Sequence, residues 1–167
     1  MAKKQASRTA QYPLVQEFDF KWNDWVVDSA DGTKKTLGST VALSTDPTEP
    51  GLTGPVANTI TFDCFGMPPG AQIIGGDLVI ETAWAGSTAA TITLGIAGTL
   101  TNILGSTSLM ASANTRTALL LTSALTCNTG SNVRATIAYT VANATAGKAR
   151  IRLLYTVDGR SNEVQIT

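Results

Sequence analysis

"VRATIAYTVANATAGKARIRLLYTV", from Val133 to Val157, decides the fold class. In its first part Val133, Ala135, Ile137, Tyr139 and Val141 alternate with Arg134, Thr136, Ala138 and Thr140. In its last part Ala149, Ile151, Leu153, Tyr155 and Val157 alternate with Arg150, Arg152, Leu154 and Thr156. A two-residue period separates side chains onto opposite faces of an extended chain. Two strands are predicted, each with one apolar face, and Arg134, Arg150 and Arg152 turn outward. "ANATAGK" between them is short and built of small residues, which predicts a hairpin loop.

The same period extends upstream. In "ATITLGIAGTLTNIL" (Ala90–Leu104) no side chain ionises, and Ala90, Ile92, Leu94 and Ile96 alternate with Thr91, Thr93, Gly95 and Ala97. Threonine and isoleucine suit a half-buried pleated surface. Gly95 marks a bulge or a close backbone approach, and Gly98 marks a turn. A membrane helix needs about 20 uninterrupted apolar residues, and this stretch is broken by threonines and glycines. "NTITFDCF" sets Ile60, Phe62 and Cys64 against Thr61 and Asp63, and "DLVIETAW" sets Leu78, Ile80 and Trp84 against Val79, Glu81 and Ala83. "VQEFDFKWNDWVV" alternates Phe18, Phe20 and Trp22 with Asp19 and Lys21, and "DSADGT" then turns the chain. "PTEPGLTGP" (Pro47–Pro55) carries three prolines and two glycines and reads as a loop outside any sheet. "MPPGAQI" is a turn. "GSTSLMASANTR" (Gly105–Arg116) reads as a polar connection with room for one helical turn, and "TALLLTS" (Thr117–Ser123) as a short buried strand. Many short strands without an amphipathic helix predict an all-β antiparallel β-sandwich or jelly roll. Residues 1–13 have no apolar period and carry Lys3, Lys4 and Arg8, which predicts a flexible basic N-terminal arm ahead of one sandwich domain over 14–167.

The residue inventory narrows the chemistry. The 167 residues include no histidine, so the commonest general base and the Cys/His zinc sites are missing. There is no nucleophile elbow, phosphate loop or dinucleotide fingerprint. Cys64 and Cys127 lack an activating partner and, with no apolar leader in "MAKKQASRTAQ", are expected to be reduced, buried thiols. Asp77 and Glu81 share a strand face but stand about 13 Å apart by strand rise, beyond the separation glycosidases use. The expectation is a protein that is not an enzyme and needs no cofactor and no metal. Twelve basic and 12 acidic residues cancel, so no nucleic-acid partner is indicated, nor a membrane. Charged residues make up only 14% of the chain, which leaves a surface suited to association. Between Thr36 and Thr115 every ionised side chain is acidic, while Lys3, Lys4 and Arg8 precede this block and Arg116, Arg134, Lys148, Arg150, Arg152 and Arg160 follow it. Opposite patches of this kind steer docking. Trp22, Trp25 and Trp84 read as core plugs or interface anchors rather than a sugar platform.

"MPPGAQIIGGDLVIETAW", "ATITLGIAG" and the closing "ARIRLLYTVDGRSNEVQ", within Val56–Gln165, together resemble the capsid decoration (cement) proteins of tailed bacteriophages. The resemblance implies a small sandwich on the outer surface of a virion, made in the host cytoplasm. It would bind an HK97-like major capsid protein and bridge its subunits. Lys3, Lys4, Arg8, Trp22 and Trp25 are the candidate capsid or partner contacts. Symmetric shells also favour self-association as a homodimer or homotrimer. A head-fibre or tail-associated sandwich, and a carbohydrate-binding module, are the alternative readings.

Overall fold

A computed structural model describes residues 13–38, 59–96, 98–121, 125–127, 130–140 and 144–157. The described residues form β1 (Leu14–Lys21), β2 (Trp25–Val27), β3 (Lys34–Thr36), β4 (Thr59–Met67), β5 (Ala71–Ala85), β6 (Ala89–Ile96), β7 (Thr99–Ser108), β8 (Arg116–Ala118), β9 (Leu125–Cys127), β10 (Ser131–Thr140) and β11 (Ala146–Val157). One sheet runs β1-β11-β5-β8, with β9 also pairing β5; the other runs β4-β10-β6-β7; β2 and β3 form a separate two-stranded ribbon. Every ladder is antiparallel. These two strand orders are those of an eight-stranded jelly roll, with β8 and β9 sharing one position and the β2–β3 ribbon inserted after the first strand.

The apolar parity read from the sequence is the buried parity. Val133, Ala135, Ile137 and Tyr139 of β10 face Ala149, Ile151, Leu153 and Tyr155 of β11 in one core, all buried. Val141 lies outside the described residues, as do Pro47–Pro55. The connection "ANATAGK" is not a hairpin, which corrects the sequence expectation. β10 pairs β4 and β6, whereas β11 pairs β1 and β5, so this segment crosses from one sheet to the other. The reason is topological: in a jelly roll most consecutive strands lie in opposite sheets, and their apolar faces meet across the core rather than side by side.

Three further expectations are corrected. Thr99–Ser108 is the strand β7, which turns back from β6 at Gly98, so Gly105–Ser108 is sheet rather than a polar connection. Among the described residues of "TALLLTS" and its leading arginine, Arg116–Ala118 is strand; Leu119 is buried, but Leu120 is exposed. In β4 the ladder shifts beside Val133, so Phe65 and Met67 enter the core and Cys64 leaves the parity of Ile60 and Phe62. Gly95 is needed where β7 crosses: a Cβ there would collide with the Thr99 carbonyl oxygen. Gly147, at φ +142°, leaves room for the Trp84 ring against the backbone.

Candidate interface surfaces

The β2–β3 ribbon presents the most exposed aromatic side chain among the described residues. Its register pairs Trp25 with Thr36, Val26 with Lys35 and Val27 with Lys34. By strand alternation, Val26 and Lys35 point inward and Trp25, Val27 and Lys34 outward. Trp25 is 60% exposed and Val27 49%, and the Lys34 ammonium sits 4.6 Å from the centre of the Trp25 ring. A cation at that distance is attracted to the ring face.

What lies beneath the ribbon makes it rigid. Lys35 is buried, and its Nζ meets Asp28 Oδ2 at 2.6 Å and Asp31 Oδ2 at 2.7 Å. Burial works against the Lys35 charge, yet the hydrogen bonds to Asp28 and Asp31 outweigh it and hold its pKa above the ordinary value. Asp28 Oδ1 accepts from the backbone N–H of Ala30 and Thr61, and Ser29 N–H donates to Thr61 O at 2.6 Å, tying the ribbon to β4. Asp31 is held far below the usual carboxylate range, first by Lys35 and then by Thr33. Behind the ribbon the buried Trp84 indole donates to Tyr139 Oη at 3.2 Å, and Tyr139 Oη donates to Leu37 O.

The outer faces of the two large sheets differ in kind. On the β1-β11-β5-β8 sheet, buried Asp77 receives a two-pronged bond from Arg152, at 2.8 and 2.6 Å, and an ion pair from Arg116. The Arg152 fork is the main reason its carboxyl lies below the usual range. Glu81 pairs with Lys148 at 2.6 Å and Arg150 at 3.3 Å. On the other sheet, Thr61, Thr136 and Thr93 stand opposite one another across three strands, with Thr59, Ala138, Thr91 and Ser108 in the next row. Thr61 and Thr136 share a hydrogen bond of 2.9 Å, and Asp63 with Arg134 is the ion pair at the end of this face.

The two tryptophans of the predicted contact set have different roles. Trp22 is half-buried against the core, its backbone N–H bonded to Gly147 O at 3.0 Å, while Trp25 stands out in solvent. Lys3, Lys4 and Arg8 lie outside the described residues. Val27 and Lys34 are surface partners of Trp25 that the sequence reading did not single out. The Asp31-Gly32 turn between two alternating triplets was the available signal. Cys64 and Cys127 are free thiols; burial pushes the Cys64 pKa up to about 12, which leaves it unreactive. Among the described residues no group of three or more acidic or cysteine side chains could hold a metal ion.

No protein-family model matches the sequence, and no curated protein matches it. Solved structures share the fold. A chain of the acidic stable capsid structure of Helicobacter pylori bacteriophage KHP30 superposes with a TM-score of 0.53 at 14% identity, over 89% of this chain and 90% of that one. A chain of the cyanophage Pam1 capsid asymmetric unit superposes with a TM-score of 0.56 at 15% identity, over 93% of this chain and 94% of that one.

Proposed function

We propose that this protein is a structural, non-enzymatic component of a phage particle, one that binds the outer surface of the capsid and stabilises the shell by bridging HK97-like major capsid protein subunits. The observation that carries this reading is the jelly roll shared along about nine-tenths of the chain with chains from two phage capsid structures. Its chemistry agrees with the reading. The carboxylates closest to a paired arrangement, Asp77 and Glu81, are each taken up by arginine or lysine. The tryptophans do not line up as a sugar platform, because Trp84 is buried and Trp22 packs inward.

The β2–β3 ribbon is the contact we assign to the shell. A rigid, exposed tryptophan buries a large area on binding with few rotors to freeze. Truncating such an anchor costs about 2 kcal/mol or more, close to thirtyfold in affinity. The test adds purified protein to particles lacking it and counts bound copies by quantitative mass spectrometry. Hundreds of copies are expected per particle. Trp25→Ala is expected to bind about thirtyfold more weakly while melting like the parent, since the ring lies outside the core. A few copies per particle would point to a fibre or tail position, and unchanged Trp25→Ala binding would move the contact elsewhere.

A further inference from the structure

We infer that the edge of β1 away from β11 is a docking strand for the N-terminal arm of a neighbouring copy of this chain, so that copies join head to tail. This inference does not depend on the particle reading and is tested on the purified protein alone.

Among the described residues four places end the two large sheets, and three of them are blunted. β7 carries two register shifts against β6, β4 carries one against β10, and β8 and β9 are three residues each. β1 is different: eight residues pair with β11 without a shift, and its other edge has no ladder partner among the described residues. Long, regular edges are templates for another strand. Leu14 and Val15, at the start of this edge, are 39% and 55% exposed. Beside them Gln16 Oε1 is buried without a hydrogen-bond partner.

The charge on β1 selects the occupant. A second β1 is a poor one. Antiparallel pairing about a two-fold axis opposes Glu17 to Glu17 when centred on Glu17 and Glu17 to Asp19 when centred on Phe18; centred on Asp19 it opposes Asp19 to itself, and only there does Lys21 meet Glu17. Like charges directly opposite are destabilising. A basic strand is favoured instead, since Asp19 is 58% exposed with its nearest cation, Arg150, 3.8 Å away. The segment ahead of Pro13 supplies one: it holds Lys3, Lys4 and Arg8 and no acidic residue. With Lys4 opposite Asp19, an antiparallel arm sets Ser7 opposite Gln16, where its hydroxyl can donate to the unpartnered Oε1. Arg8 then lies one diagonal step from Glu17, within reach of a long side chain.

Pro13 argues for a neighbour's arm rather than the chain's own. A proline disfavours the helical region for the residue before it, so the tight turn that would fold the chain's own arm back onto β1 is disfavoured there. Twelve residues in extended form reach about 40 Å, enough to span to an adjacent copy. An arm given to one neighbour and an edge offered to another is a heterologous contact, which closes as a ring when the rotation between copies allows.

Charge exchange tests this in full-length chains, with mass measured by light scattering. One variant reverses the arm (Lys3→Glu, Lys4→Glu, Arg8→Glu), and a second reverses the edge (Glu17→Lys, Asp19→Lys). Each alone is expected to associate roughly tenfold more weakly than the parent or worse. Mixed together, or combined in one chain, they are expected to recover association, because acidic arm then meets basic edge. Melting curves confirm that each is folded, since every changed side chain lies in the arm or on the exposed face of β1. A monomeric parent, undiminished association in either variant, or failure of the mixture and of the combined chain to recover would overturn the assignment.

Discussion

At the scale of the residue, Asp77 carries the sharpest prediction. It is buried on the outer face of its sheet, joined to Arg152 across the ladder and to Arg116 from β8. Its pKa is depressed in the folded chain, mainly by the Arg152 hydrogen bonds. The native state therefore releases this proton at lower pH than the unfolded chain, whose aspartates titrate near about 3.9. Stability from this group is fully present above that value and is lost as pH falls through the folded pKa. Asp77→Asn is expected to cost about 2 kcal/mol at neutral pH, the usual worth of hydrogen bonds to a charged group. The gap between variant and parent should then close as pH drops below about 4. Urea unfolding at several pH values measures it, and a gap that stays constant into acid would exclude Asp77 as the titrating group. The role of Asp77 was not legible in the sequence. Its strand parity was, but the partners Arg116 and Arg152 come from other strands, and only the sheet order brings them together.

At the scale of the element, parity and pairing had different fates. The inward faces of β10 and β11 follow from alternation alone, because from Val133 to Tyr139 and from Ala149 to Val157 every second side chain is apolar. Pairing did not follow, because a short loop of small residues serves a hairpin and a crossover equally well. β7 was missed because its bulges break the alternation into two adjacent buried residues, Ile103 and Leu104. The β2–β3 ribbon was legible as a turn but not as a platform, since a buried lysine is the reverse of what composition predicts. That lysine makes the ribbon testable. Lys35→Met strands Asp28 in the interior, where losing one partner of a buried pair costs about 3–5 kcal/mol. The ribbon is small, so the loss is expected first as local opening: faster amide exchange over Trp25–Thr36 with β10 and β11 still protected. Asp28→Leu with Lys35→Met should recover part of the loss, as apolar replacements of buried pairs often do. Unchanged exchange in Lys35→Met would mean that the ion pair does not hold the ribbon.

At the scale of the whole molecule, the fold class was the most legible feature, while the surroundings of Trp22 and Trp25 were only partly so. Trp25 was visible as an aromatic near the start of the chain, but its separation from Trp22 depends on the turn after Lys21. Charge also segregates by face in a way that composition hides. On one sheet Glu17, Asp19, Asp77 and Glu81 offset Arg116, Lys148, Arg150 and Arg152, and threonines fill the other. Neither face carries a strong field, so under the proposed function attachment to a shell should depend on shape and on the ribbon more than on long-range attraction. The energetic consequence is one of mass action. A protein that binds only the assembled shell stabilises it by RT ln(1 + [L]/Kd) at each site, about 2.7 kcal/mol when free protein stands at 100 times Kd. Repeated over many sites, that term is large even when each contact is modest. If the proposed function holds, particles lacking the protein are expected to form but to rupture at a lower temperature. Adding purified protein back should raise the rupture temperature with the logarithm of its concentration. The Trp25→Ala curve should be displaced to about thirtyfold higher concentration. Light scattering with dye access to the packaged genome reads the rupture point. A rupture temperature independent of added protein, with the sites demonstrably filled, would separate binding from reinforcement and leave only the binding.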